Sequence, residues 1–284
     1  MTIPGAAQTF GPKSARLCFQ EPALFERIGL ETSCATADRT VGRPRVFGGD
    51  ALGRRGMGFW SSPMPGHVPP GSLAAMAEPP WQTIPALVDD AAERFGMAQA
   101  LVDGEVDWSF EQLRDAVHRA ARAMIASGVE QGDRVAIWAP NISEWAVAAL
   151  GLHTAGGVLV PVNTRFKARE AGYVLDRAGV DLLFTVTDFL DTDYVALLHA
   201  AGQGTGLREI VVLRGSVPDG AVGFETFLAR ADQVDDADRA RRSASVSADD
   251  LCHIMFTSGT TGAPKGAQLV HSAVCRGYND WADV

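Results

Sequence analysis

Four short apolar runs, at 135–138, 158–162, 182–186 and 210–213, alternate with three stretches of helical periodicity, at 144–154, 168–178 and 194–201. The runs are apolar throughout rather than at every second position, which is the pattern of strands covered on both faces. Strict alternation of such strands with helices predicts right-handed βαβ units. The fold class that follows is α/β, with a doubly wound, largely parallel layered sheet.

The residues before this alternation read as an α-rich lead-in. Thr83 and Pro85 open a helix whose apolar positions Leu87, Val88, Ala91, Ala92 and Phe95 recur at helical spacing, closed by Gly96. Leu101 and Val102, then Asp103-Gly104, then Val106 and Trp108, predict a small hairpin with an Asp-Gly turn. Ser109-x-x-Gln112 is a capping box for a helix with the stripe Phe110, Leu113, Val117, Ala120, Ala121 and Met124, ended by Gly128. Arg114, Arg119 and Arg122 lie off that stripe and read as a solvated face. Ser143 is positioned to cap the helix 144–154. Residues 230–250, rich in Asp, Arg, Ser and Ala, read as a surface helix and linker before a buried strand at 254–256.

The first 75 residues follow different rules. They hold 8 prolines and 11 glycines, and they carry a net charge of +3 against −12 for the rest. Proline removes backbone donors and glycine raises the entropy cost of order, so a disordered leader is expected, with only residues 23–30 hinting at a helix. The folded domain is then 76–284, with Met76 at its start. A tethering arm is the functional alternative for the leader.

Charge and cysteine usage remove several function classes. The whole chain carries −9, which argues against a nucleic-acid partner, because neutralising phosphates needs clustered Lys and Arg. Cys18, Cys34, Cys252 and Cys275 form no C-x-x-C pair and no metal-ligand spacing, so no metal site is expected. Residues 145–162 approach spanning length, but Gly151, Gly156, Gly157 and Pro161 divide them into helix, turn and strand. No transmembrane segment and a cytoplasmic location are expected.

One segment carries chemistry. After the strand at 254–256 come Thr257, Ser258, Gly259, Thr260, Thr261, Gly262, Ala263, Pro264, Lys265 and Gly266. Glycines let backbone N–H groups turn inward as an anion-binding nest, hydroxyls add donors, and Lys265 supplies a positive charge. A polyphosphate is the natural guest. The Walker pattern fails, because Pro264 stands where its second glycine belongs and Gly266 follows the lysine. A plain polar hairpin turn is the alternative reading. Among the other residues, His253 reads as a core histidine, and Cys252, Cys275, Trp138 and Trp145 as packing residues.

The run T-S-G-T-T-G-x-P-K-G resembles the phosphate-binding signature of the adenylate-forming (AMP-binding) superfamily, which includes acyl-CoA synthetases, aryl-CoA ligases, luciferases and peptide-synthetase adenylation domains. Val160-Pro161-Val162-Asn163-Thr164-Arg165, with Glu170 and Leu175, is similar to a segment of the acyl-CoA ligases. Trp108-Ser109-Phe110-x-x-Leu113 and Gly132-Asp133-Arg134-Val135-Ala136 fit the family's amino-terminal layout. The resemblance covers about 80–284, the amino-terminal half of such enzymes. The style of 279–283 leans toward bacterial ligases for fatty or steroid-derived acids.

The resemblance implies two half-reactions: a carboxylate attacks the α-phosphorus of Mg2+-ATP to give an acyl-adenylate, and the CoA thiol then displaces AMP. ATP, Mg2+ and CoA are the implied cofactors, and a small-molecule carboxylate is the partner. Thr257, Ser258, Gly259, Thr260, Thr261, Gly262, Lys265 and Gly266 would hold the phosphates. His271 sits where many members have histidine, and it either faces the acyl site or packs on the following helix. The family's later adenine, ribose and transferring-lysine segments have no match in this sequence, so no catalytic residue is assigned. Three expectations stand open: an incomplete ligase chain, an inactive fragment that binds nucleotide or pyrophosphate weakly, and one part of a split enzyme. Association through uncovered sheet edges is expected in each.

Overall fold

A computed structural model of the chain describes residues 79–257 and 264–282. The expected leader and its helix at 23–30 lie outside the described residues, as do Ser258, Gly259, Thr260, Thr261 and Gly262.

The elements run α1 (Ile84–Phe95), β1 (Gln99–Asp103), β2 (Val106–Ser109), α2 (Phe110–Ala126), β3 (Arg134–Trp138), α3 (Ser143–Thr154), β4 (Val158–Pro161), α4 (Ala168–Ala178), β5 (Leu182–Val186), α5 (Tyr194–Ala200) and β6 (Glu209–Arg214). Then come β7 (Val222–Gly223), α6 (Phe224–Leu228), a 3-10 turn (Ala229–Gln233), α7 (Asp236–Ala244), β8 (Leu251–Thr257), β9 (Lys265–Val270) and α8 (His271–Ala282). The main sheet has the order β7-β6-β5-β3-β4-β8-β9, parallel except for the β8–β9 pair. The α/β class and the parallel-dominated sheet read from the sequence are what the structure shows.

Local chemistry explains most boundaries. Thr83 caps α1 by accepting from the Ala86 N–H, and the Ser109/Gln112 box closes reciprocally at 2.9 and 3.2 Å. The core strand β5, Leu-Leu-Phe-Thr-Val, is buried at all five positions. Its Phe184 ring meets Phe224 and Phe227 of α6 edge-on, at 6.2 and 5.2 Å. At about 1.5–3 kcal/mol for each large apolar side chain, this sheet supplies the main driving force for folding.

Four local expectations need correction. Phe95 is 49% exposed and rests on Phe110 at 5.0 Å instead of entering the core. The first hairpin turns on Gly104 and Glu105, since Asp103 is paired with Val106; Gly104 has φ +61 and takes the strain. Ser143 is the first helical residue of α3, not its cap. Ile142 stands at the cap position with no side-chain bond, and the Asp103 carboxylate accepts the Ser143 N–H from 3.0 Å. Finally, β7, α6 and β9 have no counterpart in the apolar alternation, because β7 is two residues long and β9 is largely exposed.

Candidate functional site

In a doubly wound sheet ligands gather at the carboxyl ends of the strands, where the strand order reverses. The chain passes from β3 to β4 on one side and then to β5, β6 and β7 on the other. It returns through β8, which lies parallel to β4. The carboxyl ends of β3, β4, β5 and β8 therefore point the same way. Thr257, the first residue of the glycine-rich run, is the last residue of β8 and lies at that end.

The run folds back as the β8–β9 hairpin. Thr257 is paired with Lys265 and Phe256 with Gly266, so the structure brings Thr257, Lys265 and Gly266 together at the hairpin's outer end, all exposed. Gly266 has a steric reason to be glycine. A Cβ there would lie 2.9 Å from Ile254 Cγ2 and 3.2 Å from the Phe256 ring.

A contact from outside the hairpin steadies its return strand. Tyr173 of α4 donates its hydroxyl to the Pro264 carbonyl at 3.3 Å. The segment between β4 and α4 is itself braced: Trp138 Nε1 donates to Asn163 O at 3.0 Å, and Asn163 Oδ1 accepts the Arg165 N–H at 2.9 Å. Tyr194, stacked on Trp138 with centroids 4.2 Å apart, donates to Thr164 O at 3.0 Å. The Tyr173–Pro264 bond thus joins two segments far apart in the chain, 160–175 and the described residues 264–266. Tyr173 had no signal of its own in the sequence beyond its place on α4.

His271 opens α8, 1% exposed, with Nδ1 accepting the Ile84 N–H at 3.2 Å. Its packing is therefore against the start of α1. Burial depresses its imidazole to about 4, and that of His253 likewise to about 4, with His271 as a second cause for His253. Cys252 and Cys275 are buried, and burial pushes their thiols up to about 12 and about 11, which leaves them unreactive as nucleophiles.

A described cleft lined by Asp89, Arg114, His118, Arg122, Asp236 and Arg239 includes neither Thr257 nor any of residues 264–266. Three ion pairs occupy it, Arg239–Asp236 at 2.6 Å, His118–Asp89 at 2.9 Å and Arg114–Asp115 at 2.9 Å, while the buried Arg122 Nε has no partner among the described residues. Open strand ends with the exposed Thr257 paired to Lys265 are a better place for an anion. Among the described residues, no helix is long and apolar enough to cross a membrane.

Comparison with known proteins supplies an independent view. The chain is 39% identical over 216 residues to a 3-[(3aS,4S,7aS)-7a-methyl-1,5-dioxo-octahydro-1H-inden-4-yl]propanoyl:CoA ligase of Rhodococcus jostii, covering 74% of this chain and 42% of that one. It is 41% identical over 201 residues to the Mycobacterium tuberculosis protein of the same description, covering 71% and 39%. The chain thus spans about two fifths of the length of these curated relatives. Among solved structures, an anthranilate CoA ligase, AuaEII, in complex with anthranoyl-AMP shares the fold with TM-score 0.56 at 21% identity, over 68% of this chain and 36% of that one. Residues 88–283 match the family model described as AMP-binding enzyme, and with that match extending through both segments that the Tyr173–Pro264 bond joins, this chain belongs to the AMP-binding enzyme family.

Proposed function

We propose that this chain supplies the triphosphate-holding part of an AMP-forming carboxylate–CoA ligase. The observation that carries the reading is the placement of Thr257 and Lys265, paired and exposed, at the carboxyl end of a parallel strand. The relatives described as indenyl-propanoyl:CoA ligases support a fatty or steroid-derived acid as the carboxylate and CoA as the acceptor; ATP as the other co-substrate and a cytoplasmic setting complete the reading. Mg2+ enters with ATP, bound by its phosphate oxygens. Among the described residues no group of His, Cys, Asp and Glu is arranged to hold a metal, so no step is assigned to a resident ion.

In the first half-reaction a carboxylate oxygen bonds to the α-phosphorus, and the bond from that phosphorus to the bridging oxygen breaks. Negative charge moves onto the departing pyrophosphate. Lys265 would compensate that charge, and the Thr257 hydroxyl would donate to a phosphate oxygen; Ser258, Thr260, Thr261 and the backbone N–H groups of Gly259 and Gly262 are assigned the same task. The catalytic share of such a loop is positioning and electrostatic stabilisation. The second half-reaction, thiol attack on the acyl carbon, draws on no described residue.

The test is calorimetric titration of the chain with Mg2+-ATP and with pyrophosphate, beside pyrophosphate exchange over a panel of carboxylates. Lys265→Ala is expected to weaken binding about tenfold, close to 1.4 kcal/mol for a charge-assisted contact. Its unfolding midpoint should be unchanged, because Lys265 is exposed. Equal affinities for the two proteins would remove the loop from nucleotide binding. Binding without exchange would make the chain a nucleotide-holding module instead of a ligase on its own.

A further inference from the structure

The loop-bearing hairpin joins the rest of the sheet through β8. β8 runs parallel to β4, with Leu159 and His253 as their ladder pair. What lies at that attachment is a group of three imidazoles. His153, from α3, places its ring edge-on to His253 at 4.8 Å and to His271 at 5.7 Å. His253 belongs to β8, and His271, the first residue of α8, directly follows β9, so the two flank the hairpin's base. His153 and His271 are 2% and 1% exposed.

The bonding of His271 requires a neutral ring. Because the Ile84 N–H already points at His271 Nδ1, the proton of neutral His271 is on Nε2 and the cation would have to carry its second proton on Nδ1. Protonation would set donor against donor and break the link to α1. Cys252 Sγ donates to Leu269 O at 3.3 Å, and His253 Nδ1 lies 3.5 Å from the same sulfur. His153 Nδ1 is buried with no partner. A positive charge on any ring would face two other imidazoles in a site with little water.

The Gly157 backbone favours such a charge on His153 and Asp250 favours one on His271, but burial outweighs both. From β8 and α8 the cluster is faced by Cys252, Cys275 and Tyr278, whose protons are held to about 12, about 11 and about 12 by burial, so they are neutral. Asp250 favours a charged His271, but its Oδ2 already accepts from Gln131 Nε2 and the Ser247 N–H, each at 2.8 Å. From α3, Glu144 is engaged by Arg214, and from α1, Asp89 is engaged by His118.

We infer that His153, His253 and His271 are positioning residues that form an acid-releasable pin, fixing the β8–β9 hairpin to the sheet and thereby setting where Thr257 and Lys265 stand. The pin is closed when all three rings are neutral and opens when one takes up a proton. The direction of its pH dependence follows from burial, which depresses His153 well below 6.5 and His253 and His271 to about 4. An opened hairpin returns a histidine to its ordinary 6.5. The pin is therefore at full strength above about 6.5 and weakens as pH falls toward 4, by about tenfold per pH unit for each proton taken up on opening.

This is independent of the proposed ligase reading and is read by hydrogen exchange on the intact chain, corrected for intrinsic rates. Between pH 6.5 and 5.0, protection in β8 and β9 is expected to fall about fifteenfold for one proton taken up, while β3 and β5 change by less than about threefold. His153→Phe keeps a flat ring of similar size but cannot titrate, and it should blunt the acid response. An unchanged hairpin at pH 5.0, or a loss shared equally by β3 and β5, would overturn the pin, as would a full acid response in His153→Phe. Should that variant fail to fold, histidine ring resonances of the wild-type chain decide. Three of the six histidines should titrate far below 6.5, and normal titration of this trio would overturn the inference.

Discussion

Replacing Asp103 with alanine is expected to lower the unfolding free energy by about 3 kcal/mol, at the lower end of what breaking a buried charge pair costs. Its side chain is 1% exposed and accepts from the Ser143 N–H at 3.0 Å and from Arg214 Nη2 at 2.8 Å. Alanine would leave the first amide of α3 without an acceptor and would strip Arg214 of its most buried partner. Arg214 is 38% exposed and keeps Glu144 at 2.6 Å, which is why the loss stays below the full cost of an orphaned buried ion. Asp103→Asn keeps an oxygen for Ser143 while losing the charge, so about half the effect is expected. Urea unfolding of both variants checks this, and an alanine variant within 0.5 kcal/mol of wild type would contradict the account. Burial pushes the Asp103 carboxyl up, but the Ser143 N–H and Arg214 more than offset it and hold it below the ordinary 3.8. The stabilisation is thus complete above pH 3.8 and disappears as pH falls through the lowered value.

Asp103 also shows where reading from sequence stops. Its place before Gly104 and between apolar flanks marks a turn, and a turn is there. Its partners are 40 and 111 residues away, and nothing local announces them. The same holds for Ser143, which has the chemistry of a cap and the neighbours of one, yet yields the role to a carboxylate from another element. By contrast, β5 and α4 begin and end where the apolar runs and helical spacing place them, because burial on both faces and helical periodicity act over a few residues. The site divides along the same line. The glycines, hydroxyls and lysine of 257–266 carry their chemistry in one contiguous run. Tyr173, which holds Pro264 across 91 residues, carries no local mark, and His153 and His253 reveal their cluster only once three elements have packed. The return strand β9 escaped notice because four of its six residues, Lys265 to Gln268, are exposed, so neither strand alternation nor an apolar run is present.

Gly266 allows the steric side of the site to be tested separately from its charge. Gly266→Val is expected to weaken the hairpin by about 2 kcal/mol, as overpacking does elsewhere, and Gly266→Ala by less. The reason is the nature of the two atoms a Cβ would meet. Phe256 offers the far end of a half-buried ring at 3.2 Å, which can swing away. Ile254 offers Cγ2 at 2.9 Å, close to its own backbone, from a side chain 7% exposed and set in the core, and it cannot retreat without moving β8. Two branched methyls on valine meet both neighbours at once. Because Lys265 and Thr257 are the next pair along the ladder, displacing Gly266 from Phe256 also separates the lysine from the threonine. Any binding equilibrium that needs the two together should fall about thirtyfold, the equivalent of 2 kcal/mol. Titration with pyrophosphate beside urea unfolding reads both consequences. Parallel losses in Gly266→Val, reduced when Ile254→Ala is added, would place the cause in the cross-strand contact, since coupling of that kind appears only between residues that touch. Lost affinity with unchanged stability, unrelieved by Ile254→Ala, would instead mean that the glycine backbone itself approaches the ligand, and the steric account of this position would be wrong.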